Sequence, residues 1–194
     1  MTAPFADPLD LFRELFARAA AREATDATAA ALATVGASGA PAVRIVLCKG
    51  SDERGLVFFT NYESRKAREL HGEPRAALCF YWPTLGVQVR AEGPTERLTQ
   101  AESDAYFATR PRESQLAAWA SRQSEPLASR DELGARYAEA DARFPGSVPR
   151  PPFWGGYRLV PSRIEHWQAG EHRLHHRTVY ERAGNGWAAS SLFP

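Results

Sequence analysis

Two clusters of cationic and hydroxyl side chains in the 194-residue sequence could each bind a phosphate group. The first contains Thr60, Ser64, Arg65 and Lys66, where an apolar segment runs into a predicted short helix. Free backbone N–H groups at a helix N-terminus attract anions, and two neighbouring cations strengthen the attraction. The pattern alone leaves open that Arg65 and Lys66 are ordinary surface charges.

The second cluster contains Tyr106, Arg110 and Ser114. Residues four apart share one face of a helix, so the phenol and the guanidinium would lie side by side. With the Ser114 hydroxyl they could hold another phosphate, because guanidinium groups form strong charge-assisted hydrogen bonds. A helix end with surface arginines is the alternative.

A third group lies between Trp167 and Arg177. If this segment is extended, side chains alternate between faces, and Arg173, His175 and Arg177 share one face. Two guanidiniums beside an imidazole suit a planar anionic ligand. Three histidines in this segment also suggest zinc. The alternation separates His175 from His176, however, and no acidic or cysteine ligand stands at a useful spacing, so we predict no metal site.

The elements that position these groups are mostly short strands. An amphipathic helix is predicted at 7–22, and strands separated by turns follow it. Further helices are predicted at 64–70, at 100–107 and over most of 113–143, with a break near Pro126. A connector at 145–152 leads back to strands, among them 173–182, which a hairpin turn at Asn185-Gly186 follows. This order predicts a mainly β chain with helices (α+β), built as a closed or nearly closed antiparallel barrel.

Composition excludes several classes of protein. Lys and Arg number 24 against 23 Asp and Glu, so the balance lacks the basic excess of nucleic-acid or membrane-surface binders. Cys48 and Cys79 stand in apolar runs and are predicted to be buried thiols, which fits a reducing, cytoplasmic location. We expect neither a signal peptide nor a membrane span. Dinucleotide-binding, P-loop and hydrolase motifs are absent from the sequence.

Seven motifs, in order along nearly the whole chain, resemble the pyridoxamine 5′-phosphate oxidase family. They are RIVLCK at 44–49, FFTNYESRK at 58–66, QVR at 88–90, YFATRP at 106–111, AWASRQS at 118–124, PFWGGY at 152–157 and RLHHR at 173–177. One such motif would be weak, but seven in the same order are specific.

The resemblance implies an FMN-binding split β-barrel, with Greek-key-like antiparallel strands and peripheral helices. It implies one domain over 1–194, in which 7–22 form the N-terminal helix and 145–194 complete the site. It also implies a homodimer with FMN at the subunit interface. The implied enzyme oxidises pyridoxamine or pyridoxine 5′-phosphate to pyridoxal 5′-phosphate, with O2 as acceptor and H2O2 as product.

The resemblance also assigns residues by position. The implied FMN contacts are Arg44, Ile45, Val46, Leu47, Cys48, Lys49, Phe59, Thr60, Arg65, Lys66, Gln88, Gln123, Ser124, Trp167 and Arg177. The implied contacts to the substrate phosphate are Lys49, Tyr106, Arg110 and Ser114. Arg173 and His175 match the pair that holds the substrate ring and are the implied catalytic residues.

The chain departs from the family pattern at three positions. Val87 and Ser191 stand where arginine is usual, and His176 stands where aspartate is usual. The match to the family begins close to Asp7. Two other functions therefore stay open. One is an FMN oxidase of the phenazine-pathway type that acts on another substrate. The other is a protein that binds flavin or pyridoxal phosphate without turnover. The complete phosphate cluster favours a phosphorylated substrate.

Overall fold

Antiparallel strands form one continuous sheet in the computed structural model, which describes residues 7–194. The nine strands of this described part are β1 Ala29–Val35, β2 Pro41–Asp52, β3 Gly55–Asn61, β4 Arg75–Trp82, β5 Val87–Arg97, β6 Trp154–Leu159, β7 Arg163–Gln168, β8 His176–Ala183 and β9 Gly186–Leu192. The helices are α1 Pro8–Arg22, α2 Arg65–Gly72, α3 Gln100–Ala108, α4 Arg112–Ala120 and α5 Arg130–Arg143.

Six strands close into a barrel in the order β1-β2-β3-β6-β5-β4, because β4 pairs back with β1. One edge of β5 is divided between two partners: residues 87–92 pair with β7, and Thr95–Arg97 pair with β6. The division falls at Gly93, where a side chain would overlap the main chain of Val160 and Ser162. Glycine therefore lets the β6–β7 connection cross directly over β5. The predicted antiparallel barrel with helices is confirmed.

The barrel core is filled by alternate strand residues and closed by α1. Leu32, Leu78 and Val89 are fully buried inside, and the Phe12 ring of α1 packs edge-on against Phe80 at 4.9 Å between centroids. A second, smaller core joins α3, α4 and α5 to β6. Within residues 7–194, no helix has the length and apolar character needed to cross a membrane.

The outward face of β2 carries an exposed apolar row, which consists of Val43, Ile45 and Leu47. Val43 and Ile45 are 70% and 64% exposed, whereas Val46 and Cys48 on the opposite face are buried. A bulge between Cys48 and Gly50 interrupts the pairing of β2 with β3. An exposed apolar row of this kind is typical of a surface that another chain covers.

The predicted strand over 173–182 is wrong at its beginning. Residues 171–173 form a 3-10 turn, and His172 and Arg173 adopt positive φ angles of 52° and 65°. The strand begins only at His176. Arg173 and His175 therefore do not share a strand face with Arg177, because the alternation argument holds only for extended backbone.

Other predicted boundaries also shift. The last hairpin turns at Gly184 and Asn185, because Ala183 pairs with Gly186 and Gly184 takes the positive φ. The predicted break near Pro126 in the helical region 113–143 is confirmed, and it is wide: α4 and α5 are separated by a non-helical segment at 121–129. The helix predicted at 64–70 begins one residue later, at Arg65; the Ser64 hydroxyl in front of it makes no capping hydrogen bond and lies 3.4 Å from the Thr60 hydroxyl.

His166 generates a prediction about stability and pH. Its ring is buried, with Nε2 3.2 Å from the Pro8 carbonyl oxygen, and burial lowers its pKa to about 4 against a weaker opposing effect of that hydrogen bond. Between pH 6.5 and 4 the unfolded chain gains a proton that the native histidine does not. We expect this histidine to lower the free energy of unfolding, by about 3 kcal/mol at most, as pH falls through that window.

Urea unfolding of wild type and His166→Gln from pH 4 to pH 7.5 checks this expectation. The difference between the two free energies should shrink, or change sign, as the pH falls. His71→Gln, at an exposed histidine, is the matched control and should follow wild type. Parallel curves for wild type and His166→Gln would contradict the buried neutral state.

Candidate functional site

A cleft of about 550 Å³ opens between β2, β3 and the start of α4. Three nearly parallel aromatic rings line it. The Phe59 ring stacks on Tyr106 at 3.8 Å between centroids, and on Trp154 at 5.4 Å. Planar walls of this kind suit a ligand that contains flat rings. We call this cavity the main cleft.

The second predicted phosphate cluster, Tyr106, Arg110 and Ser114, lines the main cleft, and so does Lys49. The predicted helix face shared by Tyr106 and Arg110 is wrong, because α3 ends at Ala108 and Arg110 lies in the link to α4. The Arg110 guanidinium carbon lies 4.6 Å from the Trp154 ring centre. Its Nη1 is buried and has no hydrogen-bond partner within residues 7–194. Burial lowers the pKa of Arg110, and the nearby Tyr106 opposes that effect. A buried donor without a partner is costly, so this geometry favours an anionic ligand.

Only Arg65 and Lys66 of the first predicted phosphate cluster line a smaller cleft of about 450 Å³. Thr60 lines the main cleft instead, and Ser64 is fully buried and lines neither. Arg44, Arg65, Lys66, Gln123 and Ser124 meet there, and Gln123 also lines the main cleft, so the two clefts adjoin. Lys66 Nζ donates to Thr60 Oγ1 at 3.1 Å and to Gln123 Oε1 at 3.0 Å. Burial first, and then repulsion from Arg44, lowers the pKa of Lys66 to about 8.

Both arginines of the smaller cleft are held by Glu69, a residue that the sequence analysis did not identify. Arg44 Nη2 lies 2.7 Å and Arg65 Nε 2.8 Å from its carboxylate oxygens. Arg65 and Glu69 stand four apart on α2, a spacing that signals an ion pair. The contact with Arg44 spans two separate elements and has no sequence signal.

The predicted residues on β5, β7, β8 and the loop before β8 lie apart from both clefts. Gln88, Trp167 and Arg177 stand in one row across β5, β7 and β8. The Trp167 ring lies 4.5 Å from His175, whose Nδ1 accepts a hydrogen bond from the Gly170 N–H at 3.2 Å. None of these residues, nor Arg173, lines the main or the smaller cleft of the same chain.

Arg177 is fixed by a second buried glutamate that sequence reasoning missed. Its Nε donates to Glu165 at 2.8 Å, and its Nη1 donates to the Phe193 carbonyl oxygen at 2.9 Å. Glu165 is fully buried and also pairs with Arg90 and Arg163. Burial opposes its ionisation, but these arginines outweigh burial and lower its pKa.

The predicted contacts on β2 divide by face. Val46 and Cys48 point into the core, so only their main chain could contact a ligand, whereas Leu47 and Lys49 line the main cleft. Burial raises the pKa of the Cys48 thiol to about 11, against weaker hydrogen bonds from Gly50 and Val57. The thiol is therefore protonated at physiological pH, and a protonated thiol is a poor nucleophile.

The three departures from the family pattern occupy different surroundings. Val87 is buried in the barrel core. His176 opens β8 opposite Gln168, and Ser191 lies on β9 opposite Thr178, both exposed. None of the three lines the main cleft or the smaller cleft.

Comparison with protein families and known proteins gives consistent matches. Residues 17–144 match the pyridoxamine 5′-phosphate oxidase family, and residues 154–194 match the pyridoxine 5′-phosphate oxidase C-terminal dimerisation region. A pyridoxine/pyridoxamine 5′-phosphate oxidase of Anaeromyxobacter dehalogenans is 61% identical, with 97% of this chain and 96% of that protein covered. One of Myxococcus xanthus is 56% identical, with coverages of 97% and 92%.

Two solved structures share the fold. PhzG from Burkholderia lata, solved with tetrahydrophenazine-1-carboxylic acid, has a TM-score of 0.93 and 36% identity, with 98% of this chain and 94% of that chain covered. An FMN-binding protein from Nostoc punctiforme, related to pyridoxamine 5′-phosphate oxidase, has a TM-score of 0.76 and 21% identity with full coverage of both chains. The second likeness concerns the fold alone.

The divided strand β5, the closed six-stranded barrel and two adjoining clefts lined by cationic side chains are typical of a split-barrel flavoprotein. Within that class the chain belongs to the pyridoxamine 5′-phosphate oxidase family. Strands β6 to β9 coincide with the dimerisation region of that family.

The buried Arg110 generates a prediction about anion binding. We expect inorganic phosphate to raise the melting temperature of the protein, since a ligand at ten times its Kd stabilises the native state by about 1.4 kcal/mol. In Arg110→Gln the increase should be at least halved, because the partner for the phosphate is lost. Arg130→Gln, at the exposed start of α5, is the control for lost positive charge. Equal thermal shifts in wild type and Arg110→Gln would rule out this site.

Proposed function

We propose that the protein is an FMN-dependent oxidase that converts pyridoxamine or pyridoxine 5′-phosphate to pyridoxal 5′-phosphate. The observation that carries the proposal is the pair of adjoining clefts, each with its own cation cluster and joined at Gln123. FMN and the substrate each carry one phosphate group, so two separate clusters match the two ligands. The relatives at 61% and 56% identity, both named as this oxidase, support the same reaction.

The residues of the smaller cleft fit the phosphate of FMN. Arg44, Arg65 and Lys66 supply positive charge, and Gln123 and Ser124 supply polar groups beside them. Ser124 has a φ of 75°, a strained conformation for a residue with a side chain, and such strain is often found at ligand sites. When bound, the flavin supplies the two-electron chemistry, which protein side chains do not offer.

The residues of the main cleft fit the substrate. Lys49, Arg110, Ser114 and the Tyr106 hydroxyl would hold its phosphate, and the buried Arg110 Nη1 would gain a partner. The alcohol substrate loses two hydrogens, and O2 takes them up as H2O2. The amine substrate loses one hydrogen from carbon and one from nitrogen, and water then releases ammonia from the resulting imine.

A second copy of the chain would complete the site. Gln88, Trp167, Arg173, His175 and Arg177 lie outside both clefts of their own chain, so in a homodimer they would serve the clefts of the other chain. The exposed apolar row on β2 and the match of 154–194 to a dimerisation region support this arrangement. FMN would then lie at the subunit interface.

Arg173 and His175 would orient the substrate ring. His175 accepts the Gly170 N–H at Nδ1, so in the neutral imidazole the proton is on Nε2, which can donate to the ligand. Gly170 must be glycine, since a side chain there would overlap the Leu174 carbonyl. The loop thus fixes both the position and the tautomer of the imidazole.

The decisive experiment loads the protein with FMN and adds each substrate without oxygen. Bleaching of the flavin absorbance by pyridoxamine or pyridoxine 5′-phosphate, followed by pyridoxal 5′-phosphate and H2O2 in air, is the expected result. A flavin that neither phosphate ester bleaches would reject the proposal. Bleaching by tetrahydrophenazine-1-carboxylic acid instead, the compound bound in the PhzG structure, would favour a phenazine-type substrate.

Arg173→Ala tests the role of the loop. We expect kcat to fall at least about 100-fold, a typical loss for a group that orients the reacting ring, while bound FMN per subunit changes less than twofold. Arg182→Ala, at a β8 arginine that stacks on Trp187 away from both clefts, is the control. Parallel loss of FMN and turnover in Arg173→Ala would remove Arg173 from the substrate role.

Lys66 generates a prediction about pH. The charged amine binds phosphate, and its pKa is about 8 before the ligand arrives. FMN affinity should therefore fall as pH rises from 7 to 9, approaching about tenfold per unit above the pKa. Lys66→Arg keeps its charge throughout, so its affinity should stay nearly constant over the same range. Identical pH profiles in titrations of flavin fluorescence would contradict the assignment.

A further inference from the structure

Glu69 is a buried anion within a cluster of cations. Its side chain on α2 is only 8% exposed. One carboxylate oxygen, Oε2, accepts hydrogen bonds from Arg44 Nη2 at 2.7 Å and from the Thr34 hydroxyl at 2.5 Å. The other, Oε1, accepts one from Arg65 Nε at 2.8 Å. Each oxygen therefore holds one arginine of the smaller cleft.

The two arginines differ in how firmly they are held. Arg44 is 21% exposed, and its Nη1 also contacts the Thr34 hydroxyl and lies 3.3 Å from the Leu32 carbonyl oxygen. Arg65 is 65% exposed, and its bond to Glu69 uses one of the five N–H groups of the guanidinium. Arg65 can thus bind a further anion while Glu69 fixes its direction.

A carboxylate so close to a phosphate site has two opposite effects. It repels the incoming dianion, and it holds the guanidiniums where the phosphate needs them. Both carboxylate oxygens already accept bonds from the arginines, so the negative charge is largely neutralised on the side of the cleft. Without Glu69, the charges of Arg44, Arg65 and Lys66 would repel one another, and the long side chains would have to be ordered by the ligand.

We propose that Glu69 is the positioning residue that makes the smaller cleft prefer a flavin with a phosphate monoester over one without. The inference rests on the proposed binding of FMN and adds to it a residue that makes no contact with the ligand. Glu69 acts through the hydrogen bonds that it accepts from Arg44 and Arg65. Its loss should therefore weaken the binding only of ligands that contact these two arginines.

Glu69→Gln tests the proposal, with FMN and riboflavin as the two probes. The amide has the shape of the carboxylate but lacks its charge. We expect the Kd for FMN to rise about tenfold, as for the loss of a hydrogen bond to a charged group, while the Kd for riboflavin changes less than twofold. Glu73→Gln is the matched control, because Glu73 follows the same helix and pairs with the exposed Arg75.

A second comparison shows whether Glu69 acts through the arginines. In the Arg44→Gln/Arg65→Gln background, adding Glu69→Gln should not weaken FMN binding further, since coupled residues are not additive. A further loss of about tenfold in that background would mean that Glu69 acts by another route, and would overturn the proposal.

Three outcomes of the main experiment are decisive. Equal weakening of both flavins would make Glu69 a structural residue only, and tighter FMN binding would show that repulsion dominates. Either result overturns the inference. If wild type binds no FMN, the proposed function itself fails.

If Glu69→Gln does not fold, Thr34→Val takes its place. This variant removes one hydroxyl that contacts both Glu69 and Arg44. It should raise the Kd for FMN about threefold and leave the Kd for riboflavin unchanged. No change for FMN would count against the inference.

Discussion

The arrangement of the whole molecule depends on the place where β5 changes partners. A strand has two edges, and β4 occupies one of them, so β6 and β7 must share the other. They can do so because Gly93 allows the Val160–Ser162 connection to lie against the strand. C-terminal to Gly93, β5 pairs with β6 and the barrel closes. N-terminal to Gly93, β5 pairs with β7. Strands β7 to β9 extend the sheet outside the barrel as a separate wing, which carries Trp167 and Arg177 away from the clefts.

The barrel and the wing formed by β7 to β9 arrange their charged side chains in the same way. A glutamate buried behind the surface holds several arginines in front of it: Glu69 holds Arg44 and Arg65, and Glu165 holds Arg177 with two others. A cation that must stay ready for an anionic ligand is costly to keep near an apolar core without a counter-charge. A buried carboxylate lowers that cost and sets the direction of the guanidinium. Truncating either glutamate would leave uncompensated cations, which is usually more damaging than replacing the whole group.

Sequence reasoning succeeded where the local sequence determines the structure. The succession of short strands and turns predicted the barrel, and the proximity of Tyr106, Arg110 and Ser114 in the chain predicted a cluster that the structure brings together. The helical period does not explain that cluster, because Arg110 lies in the link between α3 and α4. Sequence reasoning failed for Arg173 and His175 because left-handed residues at 172 and 173 interrupt the alternation. It could not find the pairing of Glu69 with Arg44, since the two residues are 25 positions apart and meet only after α2 packs against β1 and β2. Nor could it separate the residues of the barrel from those of the wing, because that division arises from strand pairing.

The two-sided character of β2 has a consequence for how the chain folds. Val43, Ile45 and Leu47 face outward, and Val46 and Cys48 face inward, so hydrophobicity hardly distinguishes the two faces. A slip of one residue against β1 would exchange them and still bury apolar side chains. It would also turn Arg44 outward, away from Thr34 and Glu69, and leave that carboxylate without its partner. The polar network of Thr34, Arg44 and Glu69 therefore favours the native register of β2, because a strand shifted by one residue would lose these contacts.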